Sequence, residues 1–211
     1  MSTYTINVSF QTRVNKTTRT LEIAESFGLG LDEKDWTLYD NLELEVEQGD
    51  VVYITGQSGS GKSVVLRELQ RQMKDEGLSV ASIDDFTFDN DVNVIDQLGK
   101  TTSEALGLLS MAGLNDAYLF VRKPSEMSDG QKYRLKIAKL IESGAKVWAA
   151  DEFGAVLDRV TAVVASNLQR AARKVGATVM VATTHEDLKN ALRPDMLITK
   201  HYKERVKVEY A

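Results

Sequence analysis

The chain has 211 residues, of which 43% are hydrophobic and 27% charged, so it is long enough for one large or two small globular domains. It contains no cysteine and only two histidines, which excludes disulfide bonds, cysteine nucleophiles, thiolate metal ligands and a histidine-rich metal site. The net charge of −5 argues against a non-specific nucleic-acid binder, because such proteins usually carry a basic face.

No targeting or membrane segment is predicted. The N-terminal sequence is polar and lacks the basic segment and apolar run of a signal peptide. The longest apolar runs, such as Val51–Ile54, fall far short of the ~20 residues needed to cross a bilayer. We therefore expect a cytoplasmic protein without a membrane segment of its own.

The first 50 residues are predicted to form an antiparallel β region. Residues Tyr4–Phe10 alternate between apolar and polar side chains, which is typical of a half-buried strand. A second strand is expected at Leu42–Val46, after a loop around residues 32–35.

Residues 51–91 and 146–211 are predicted to form an α/β core around a parallel sheet. The β-branched run Val51–Thr55 suits a buried parallel strand. A helix from Ser63 to Glu76, ending before Gly77, and a strand at Leu78–Ile83 complete a strand–helix–strand unit. The later core elements are a helix at 160–175 and strands at 146–150, 177–183, 196–200 and 205–210.

Residues 92–145 separate the two parts of this core and are predicted to be a helical insert. The apolar spacing indicates helices at 92–98, 102–114 and 128–142, with few strand signals. We expect the β region, the core and the insert to make up a single domain covering residues 1–211.

A glycine-rich sequence follows the first core strand and matches the pattern of a phosphate-binding loop. Its residues are Gly56, Gln57, Ser58, Gly59, Ser60, Gly61, Lys62 and Ser63, and Val64 continues into the helix. Glycines let backbone amides point at a phosphate, and the helix N-terminus adds partial positive charge. Lys62 is predicted to reach the β- and γ-phosphates and the Ser63 hydroxyl to ligate Mg²⁺. The loop therefore predicts nucleotide binding.

An acidic pair ends a later core strand. Asp151 and Glu152 follow the apolar run Val147–Ala150, which places them at the carboxyl edge of the sheet beside the phosphate-binding loop. Asp151 is a candidate to hold Mg²⁺, directly or through water. Glu152 is a candidate general base for a water that attacks the γ-phosphate.

The order of five motifs resembles the ABC ATPases, members of the P-loop NTPase class, from about Leu38 to Lys200. In chain order they look like the Walker A loop, signature, Walker B pair, D-loop and switch histidine, at Gly56–Ser63, Ser128–Gln131, Asp151–Glu152, Leu157–Asp158 and His185. The segments Ser128–Arg134 and Asp151–Ala162 also resemble a soluble group of these ATPases, some of which are joined to a GNAT acetyltransferase.

This resemblance implies Mg²⁺-dependent ATP hydrolysis by a homodimer whose subunits close head to tail over two ATP molecules. Ser128 and the Gly130 amide, with Asp129 and Gln131 in the same turn, would contact the partner's ATP. Together with Lys62 and Glu152, His185 would take part in catalysis by orienting the attacking water. Asp158 would couple the two sites.

The sequence departs from the family pattern at two places and leaves the choice of a third residue open. Asp129 stands where glycine is commoner and adds negative charge near a triphosphate. No glutamine stands at the expected Q-loop position, for which Asp84 is the best placement and a candidate Mg²⁺ ligand. Trp36 and Phe27 are both candidates for the aromatic residue that family members usually stack on adenine, and the spacing does not choose between them.

Three alternative functions remain open. The first is the nucleotide-binding subunit of a transporter, which co-purification with an integral membrane protein would favour. A DNA-maintenance ATPase head is the second, although residues 84–127 contain no sustained heptads for the long coiled coil of that class. The last is a nucleotide-gated switch, which ATP-dependent pairing without phosphate release would favour.

Overall fold

The structure, a computed structural model, describes residues 2–155, 161–202 and 204–211. Within these ranges the polypeptide divides into two units, one formed by Thr3–Glu45 and the other running from Val46 to Ala211. The first is a strand pair with one helix, and the second contains the central sheet.

The N-terminal unit is built on two antiparallel strands, β1 (Ser2–Thr12) and β2 (Lys34–Val46). The predicted antiparallel β region is therefore confirmed, although β2 starts inside the expected loop around residues 32–35. Helix α1 (Thr18–Phe27) lies between the strands and was not predicted. Its only buried residue is Ala24, and its larger apolar side chains Leu21, Ile23 and Phe27 are exposed.

The second unit contains a six-stranded sheet in the order β4-β5-β6-β3-β7-β8. Adjacent strands of this sheet are parallel, except that β7 and β8 are antiparallel. This arrangement confirms the predicted α/β class with a parallel central sheet. The strands are β3 (Val51–Thr55), β4 (Val80–Ser82), β5 (Val147–Ala150), β6 (Thr178–Thr183), β7 (Met196–Thr199) and β8 (Lys207–Tyr210).

Six helices of this unit lie in the described residues: α2 (Lys62–Asp75), α3 (Thr102–Met111), α4 (Ala117–Phe120), α5 (Asp129–Ser143), α6 (Thr161–Val175) and α7 (Lys189–Leu192). Residues 92–145 are helical as expected, but the predicted helix at 92–98 is a 3₁₀ turn at Val94–Gln97. The strand predicted at Leu78–Ile83 is shorter because Ser82 caps a second 3₁₀ turn at Ile83–Asp85.

The core of this unit lies around the central strands. All five residues of β3 are buried, as expected for a strand covered on both faces. The largest fully buried side chain is Trp148 of β5, whose indole N–H donates to the Ala145 carbonyl at 3.0 Å. Because β3, β5 and β6 are so well covered, their carboxyl ends form a rigid edge for the loops that follow them. No helix in the described ranges is long and apolar enough to cross a membrane.

Candidate nucleotide-binding site

The loop between β3 and α2 adopts the backbone shape that its glycines permit. Gly56 has a φ of 135° and Gly61, the residue before α2, a φ of 103°. A Cβ built on Gly56 would lie 1.9 Å from the Lys200 carbonyl oxygen, so this position has no room for a side chain. Position 56 therefore combines a positive φ with close packing, and only glycine is accommodated there without strain.

Lys62 folds back over this loop. Its Nζ donates to the carbonyl oxygens of Gly56 at 2.9 Å and Gln57 at 2.7 Å. Burial lowers the pKa of the Lys62 ammonium, while the negative charges of Asp151 and Glu152 oppose this shift. The structure thus places a cation inside the loop, where a phosphate would be neutralised.

The glycine-rich loop borders a cavity and also carries a buried hydroxyl group. Ser60 is 2% exposed, and among the described residues its hydroxyl has no hydrogen-bond partner. Ser60 is not among the residues that line the cavity. The loop borders a cavity of about 520 Å³. The lining residues are Ser58, Gly59, Gly61, Lys62, Ser63, Asp151, Glu152, Phe153, Ala155, Ala182, Thr183 and Thr184.

Ser63 and Asp151 are in direct contact at the edge of this cavity. The Ser63 hydroxyl donates to Asp151 Oδ1 at 2.8 Å, and the Glu152 backbone N–H donates to the same oxygen at 3.0 Å. Arg67 Nη2 lies 3.7 Å from Asp151 Oδ2. The hydroxyl and carboxylate are hard oxygen donors that fit Mg²⁺. No cluster of three acidic or histidine ligands occurs in the described part of the chain, so such an ion would share its coordination with phosphate and water.

Glu152 has an unusual backbone conformation at the end of β5. Its φ is 49°, in the left-handed region that non-glycine residues rarely adopt. Holding a non-glycine residue there costs on the order of 1 kcal/mol, and such strain is often found at functional positions. The side chain lines the cavity together with Asp151.

The predicted signature residues form the N-terminus of α5. Ser128 is the N-cap: its Oγ accepts the Gln131 N–H at 3.4 Å, and Gln131 Oε1 accepts the Ser128 N–H at 2.9 Å. Gly130 is buried in the first turn. Asp129 borders a second cavity of about 470 Å³. That cavity is lined by Arg67, Asp84, Asp129, Lys132, Tyr133, Lys136, Asp151, Glu152, Gly154 and Ala155.

His185 lies in the turn that follows β6. Its backbone N–H donates to Thr183 Oγ1 at 3.1 Å, and its ring Nδ1 is 3.8 Å from Asp187 Oδ1. The ring lies beside Gly154, because a Cβ built there would be 3.2 Å from His185 Cδ2 and 3.3 Å from Nε2. Sequence reasoning missed Gly154, whose only signal is its place two residues after Glu152.

Asp84 and Asp151 both line the second cavity. Partial burial raises the pKa of the Asp84 carboxyl, and the positive charge of Lys136 opposes this shift. Asp158 lies outside the described residues. In the N-terminal unit, the Trp36 ring is 6.0 Å from that of Phe10 and Phe27 is 72% exposed.

Comparisons with known proteins find similar sequences among ATP-binding proteins. The family model described as ABC transporter matches residues 39–155. The aliphatic sulfonates import ATP-binding protein SsuB 2 of Rhodococcus jostii (strain RHA1) is 31% identical over 183 residues, covering 78% of this chain and 73% of that protein. The methionine import ATP-binding protein MetN of Ligilactobacillus salivarius (strain UCC118) is 24% identical over 204 residues, covering 76% of this chain and 56% of that protein. The chain thus spans little more than half the length of MetN.

A solved structure shares the fold over the whole chain. It is the ATP-binding cassette MJ0796, a dimer in a post-hydrolysis state bound to ADP and Pi. The TM-score is 0.64 at 19% identity, and the match covers 99% of this chain and 98% of that one. At this identity the likeness shows the fold.

Proposed function

This chain belongs to the ABC transporter family, and on that premise we propose that it binds ATP, hydrolyses it with Mg²⁺ and pairs head to tail with a second copy of itself. The observation that carries the proposal is the 2.8 Å contact between the Ser63 hydroxyl and the Asp151 carboxylate. It joins the phosphate-binding loop to the acidic strand end within one cavity.

The loop would hold the triphosphate. Lys62 would exchange its contacts with two loop carbonyls for the β- and γ-phosphates, which relieves part of the unfavourable burial of its charge. The loop amides would add hydrogen bonds. Ser63 and Asp151 would hold Mg²⁺, which neutralises phosphate charge when bound.

Glu152 and His185 would act on the attacking water. Glu152 lines the same cavity as Asp151, which supports a role as general base. The His185 ring lies beside Gly154, two residues further along the chain from Glu152. We assign Glu152 the role of base and His185 that of orienting the water beside the γ-phosphate. Asp84 remains a candidate ligand because it lines the second cavity together with Asp151 and Glu152.

The N-terminus of α5 would contact the ATP held by the partner subunit. Ser128 uses its oxygen to cap the helix, which leaves its hydroxyl hydrogen available for a phosphate oxygen. The helix N-terminus adds partial positive charge for the same contact. Asp129 would weaken the contact by like-charge repulsion, while Gly130 and Gln131 shape the turn. Asp158 would couple the two sites of the dimer.

A Glu152→Gln variant tests hydrolysis and pairing together. It keeps the shape of the side chain but removes the base, so we expect ATP binding without phosphate release and a dimer that persists in Mg-ATP. Light scattering after gel filtration measures the mass, and the exposed Glu43→Gln variant serves as the control. A Glu152→Gln protein that stays monomeric at saturating Mg-ATP contradicts the pairing model.

A Lys62→Ala variant tests the phosphate-binding loop separately. Loss of the buried cation should lower ATP affinity at least tenfold, since charge-assisted hydrogen bonds contribute about 1.5–3 kcal/mol. Lys74→Ala, at the exposed end of the same helix, is the matched control. Equal ATP affinity in the two variants, measured by equilibrium titration, would overturn the loop assignment.

A second candidate function is the nucleotide-binding subunit of a membrane transporter. It is favoured by the names of the relatives, which describe import ATP-binding proteins. Such a subunit works in the cytoplasm against a membrane partner. Affinity purification of the Glu152→Gln protein from detergent-solubilised membranes tests this: an integral membrane protein recovered in ATP-dependent, near-stoichiometric amount supports the transporter role, and recovery of the homodimer alone supports the soluble ATPase.

A further inference from the structure

Two buried hydroxyl groups hold the backbone carbonyl of His185. Tyr53 and Thr55, both on β3, donate their hydroxyl hydrogens to this oxygen, the Thr55 contact measuring 2.8 Å. Tyr53 is fully buried and Thr55 is 4% exposed. A carbonyl oxygen has two lone pairs, so both donors are accommodated at once.

A third hydroxyl holds the other side of the same residue. Thr183 Oγ1 accepts the His185 N–H at 3.1 Å and donates to the Phe153 carbonyl at 2.6 Å. Phe153 directly follows Glu152, and its own N–H donates to the Ala182 carbonyl at 2.9 Å. The Thr183 side chain therefore connects the backbone of His185 to the residue after the proposed base.

The Tyr53 hydroxyl also keeps its proton. Burial raises the pKa of the Tyr53 hydroxyl, while the contacts with Thr55 and Leu188 oppose this shift. The phenol thus stays protonated, and able to donate, at neutral pH.

Packing alone does not require these hydroxyls. Phenylalanine and valine would fill the same volumes, and burying a hydroxyl costs free energy unless it is hydrogen-bonded. A hydrogen bond restricts the distance and angle between donor and acceptor, whereas apolar packing does not. All three hydroxyls form hydrogen bonds to the backbone of one residue, His185.

We propose that Tyr53, Thr55 and Thr183, the hydroxyl clamp, are positioning residues that set where His185 stands relative to Glu152 and the phosphate-binding loop. The inference rests on the proposed role of His185 in hydrolysis. Strand β3 leads directly into the phosphate-binding loop, and its Thr55 hydroxyl also holds the carbonyl of His185. The clamp should therefore affect the hydrolytic step much more than ATP binding.

Carbonyl NMR tests the clamp without nucleotide. The chain has only two histidines, so histidine labelled with ¹³C at the carbonyl yields two signals. Tyr53→Phe and Thr55→Val should each move the His185 carbonyl signal upfield, because each removes one donor, and leave that of His201 in place. An unmoved His185 signal in both variants would overturn the inference.

A double-mutant cycle tests the consequence for hydrolysis. Losing one hydrogen bond is worth roughly 0.5–1.5 kcal/mol, so each of Tyr53→Phe, Thr55→Val and Thr183→Val should lower kcat by about 2- to 10-fold with ATP affinity nearly unchanged. In a His185→Ala background the same changes should have no further effect. Thr183→Ser, which retains the hydroxyl, should restore kcat.

A matched control separates the clamp from general stability. Thr178 is a buried threonine at the opposite end of β6, where its hydroxyl accepts the Gly49 N–H and donates to the Glu47 carbonyl. Thr178→Val should lower the denaturation midpoint without lowering kcat. A fall in kcat for Thr178→Val equal to that of the clamp variants would identify the effect as structural and overturn the inference.

The outcomes also separate the clamp from the proposed function. Wild-type turnover in His185→Ala would overturn the role of His185, and the catalytic part of the clamp with it. Loss of turnover in His185→Ala, together with unchanged turnover in the three clamp variants, would overturn the clamp alone.

Discussion

The backbone carbonyl of Lys200 occupies the space that a side chain on Gly56 would need. A Cβ at Gly56 would lie 1.9 Å from this oxygen, and the Lys200 N–H donates to the Thr55 carbonyl at 2.9 Å, so the two strand ends cannot separate without losing a hydrogen bond. The shape of the phosphate-binding loop is thus coupled to β7, a strand far away in sequence.

We expect Gly56→Ala to abolish ATP binding and to lower the free energy of unfolding by several kcal/mol, since it adds a steric clash to an unfavourable φ. Gly59→Ala is the comparison, because Gly59 has a φ of 71° but no atom within 4 Å of a new Cβ. Backbone strain alone should lower the free energy of unfolding of Gly59→Ala by about 1–2 kcal/mol. Chemical denaturation and ATP titration measure both effects, and equal losses in the two variants would contradict the argument.

Ser63→Ala should weaken the Mg²⁺ dependence of ATP binding. The change removes the hydroxyl that contacts Asp151, and with it one proposed oxygen ligand. ATP affinity should fall in Mg²⁺ and stay unchanged in EDTA, as measured by titration calorimetry. Arg67→Ala is the control, because its side chain, 3.7 Å from Asp151, is 74% exposed and ion pairs made by exposed side chains contribute only about 0–1 kcal/mol. A Ser63→Ala protein with wild-type Mg²⁺ dependence would refute the assignment of this ligand.

Gly154→Ala should impair hydrolysis while ATP still binds. Gly154 has a φ of 85°, and a Cβ there would lie 2.5 Å from Thr161 Cγ2 and 3.2 Å from the His185 ring. The Thr161 side chain must therefore shift, and the His185 ring must give by a few tenths of an ångström, which disturbs the position that we assign to His185 in hydrolysis. Steady-state kinetics should show a lower kcat, with ATP affinity within about twofold of wild type.

Gly107→Ala provides the matched control for that substitution. Gly107 lies inside α3, and a Cβ there would meet no atom within 4 Å. Alanine favours the helix, so this variant should be more stable by about 0.5–1 kcal/mol, with unchanged kcat. If Gly154→Ala keeps wild-type kcat, the ring does not need the space beside this glycine.

Stability should fall steeply as the pH rises above about 10. Burial raises the pKa of the Tyr53 and Tyr133 hydroxyls, so the unfolded chain loses these protons at a lower pH than the folded protein does. The unfolded state then binds fewer protons, and each tyrosine removes up to about 1.4 kcal/mol of stability per pH unit above the unfolded pKa. Urea denaturation between pH 8 and 11 measures the slope.

Tyr133→Phe should make that slope shallower at little cost near neutral pH. The Tyr133 hydroxyl is buried and has no hydrogen-bond partner within the described ranges, so its removal leaves no donor or acceptor unsatisfied there. Tyr118→Phe, at a side chain that is 75% exposed, should leave the slope unchanged. Equal slopes for Tyr133→Phe and wild type would contradict the assignment of this titration.

Features that depend on neighbouring residues could be predicted from the sequence. The glycine spacing of the phosphate-binding loop, the burial of β3 and the capping of α5 by Ser128 all follow from local backbone rules. Helix α1 was not predicted, and only its Ala24 is buried. A short apolar pattern does not distinguish a helix from the 3₁₀ turn that the structure has at Val94–Gln97.

The sequence by itself determined that a phosphate-binding loop follows a buried strand and that an acidic pair ends another, because strand burial and backbone φ are decided over a few adjacent residues. Only the tertiary structure decided that Ser63 meets Asp151 and that Tyr53 and Thr55 hold His185. These contacts join residues 88 to 132 positions apart, and they depend on the order in which parallel strands assemble. That order is a property of the whole packed sheet, which no local pattern encodes.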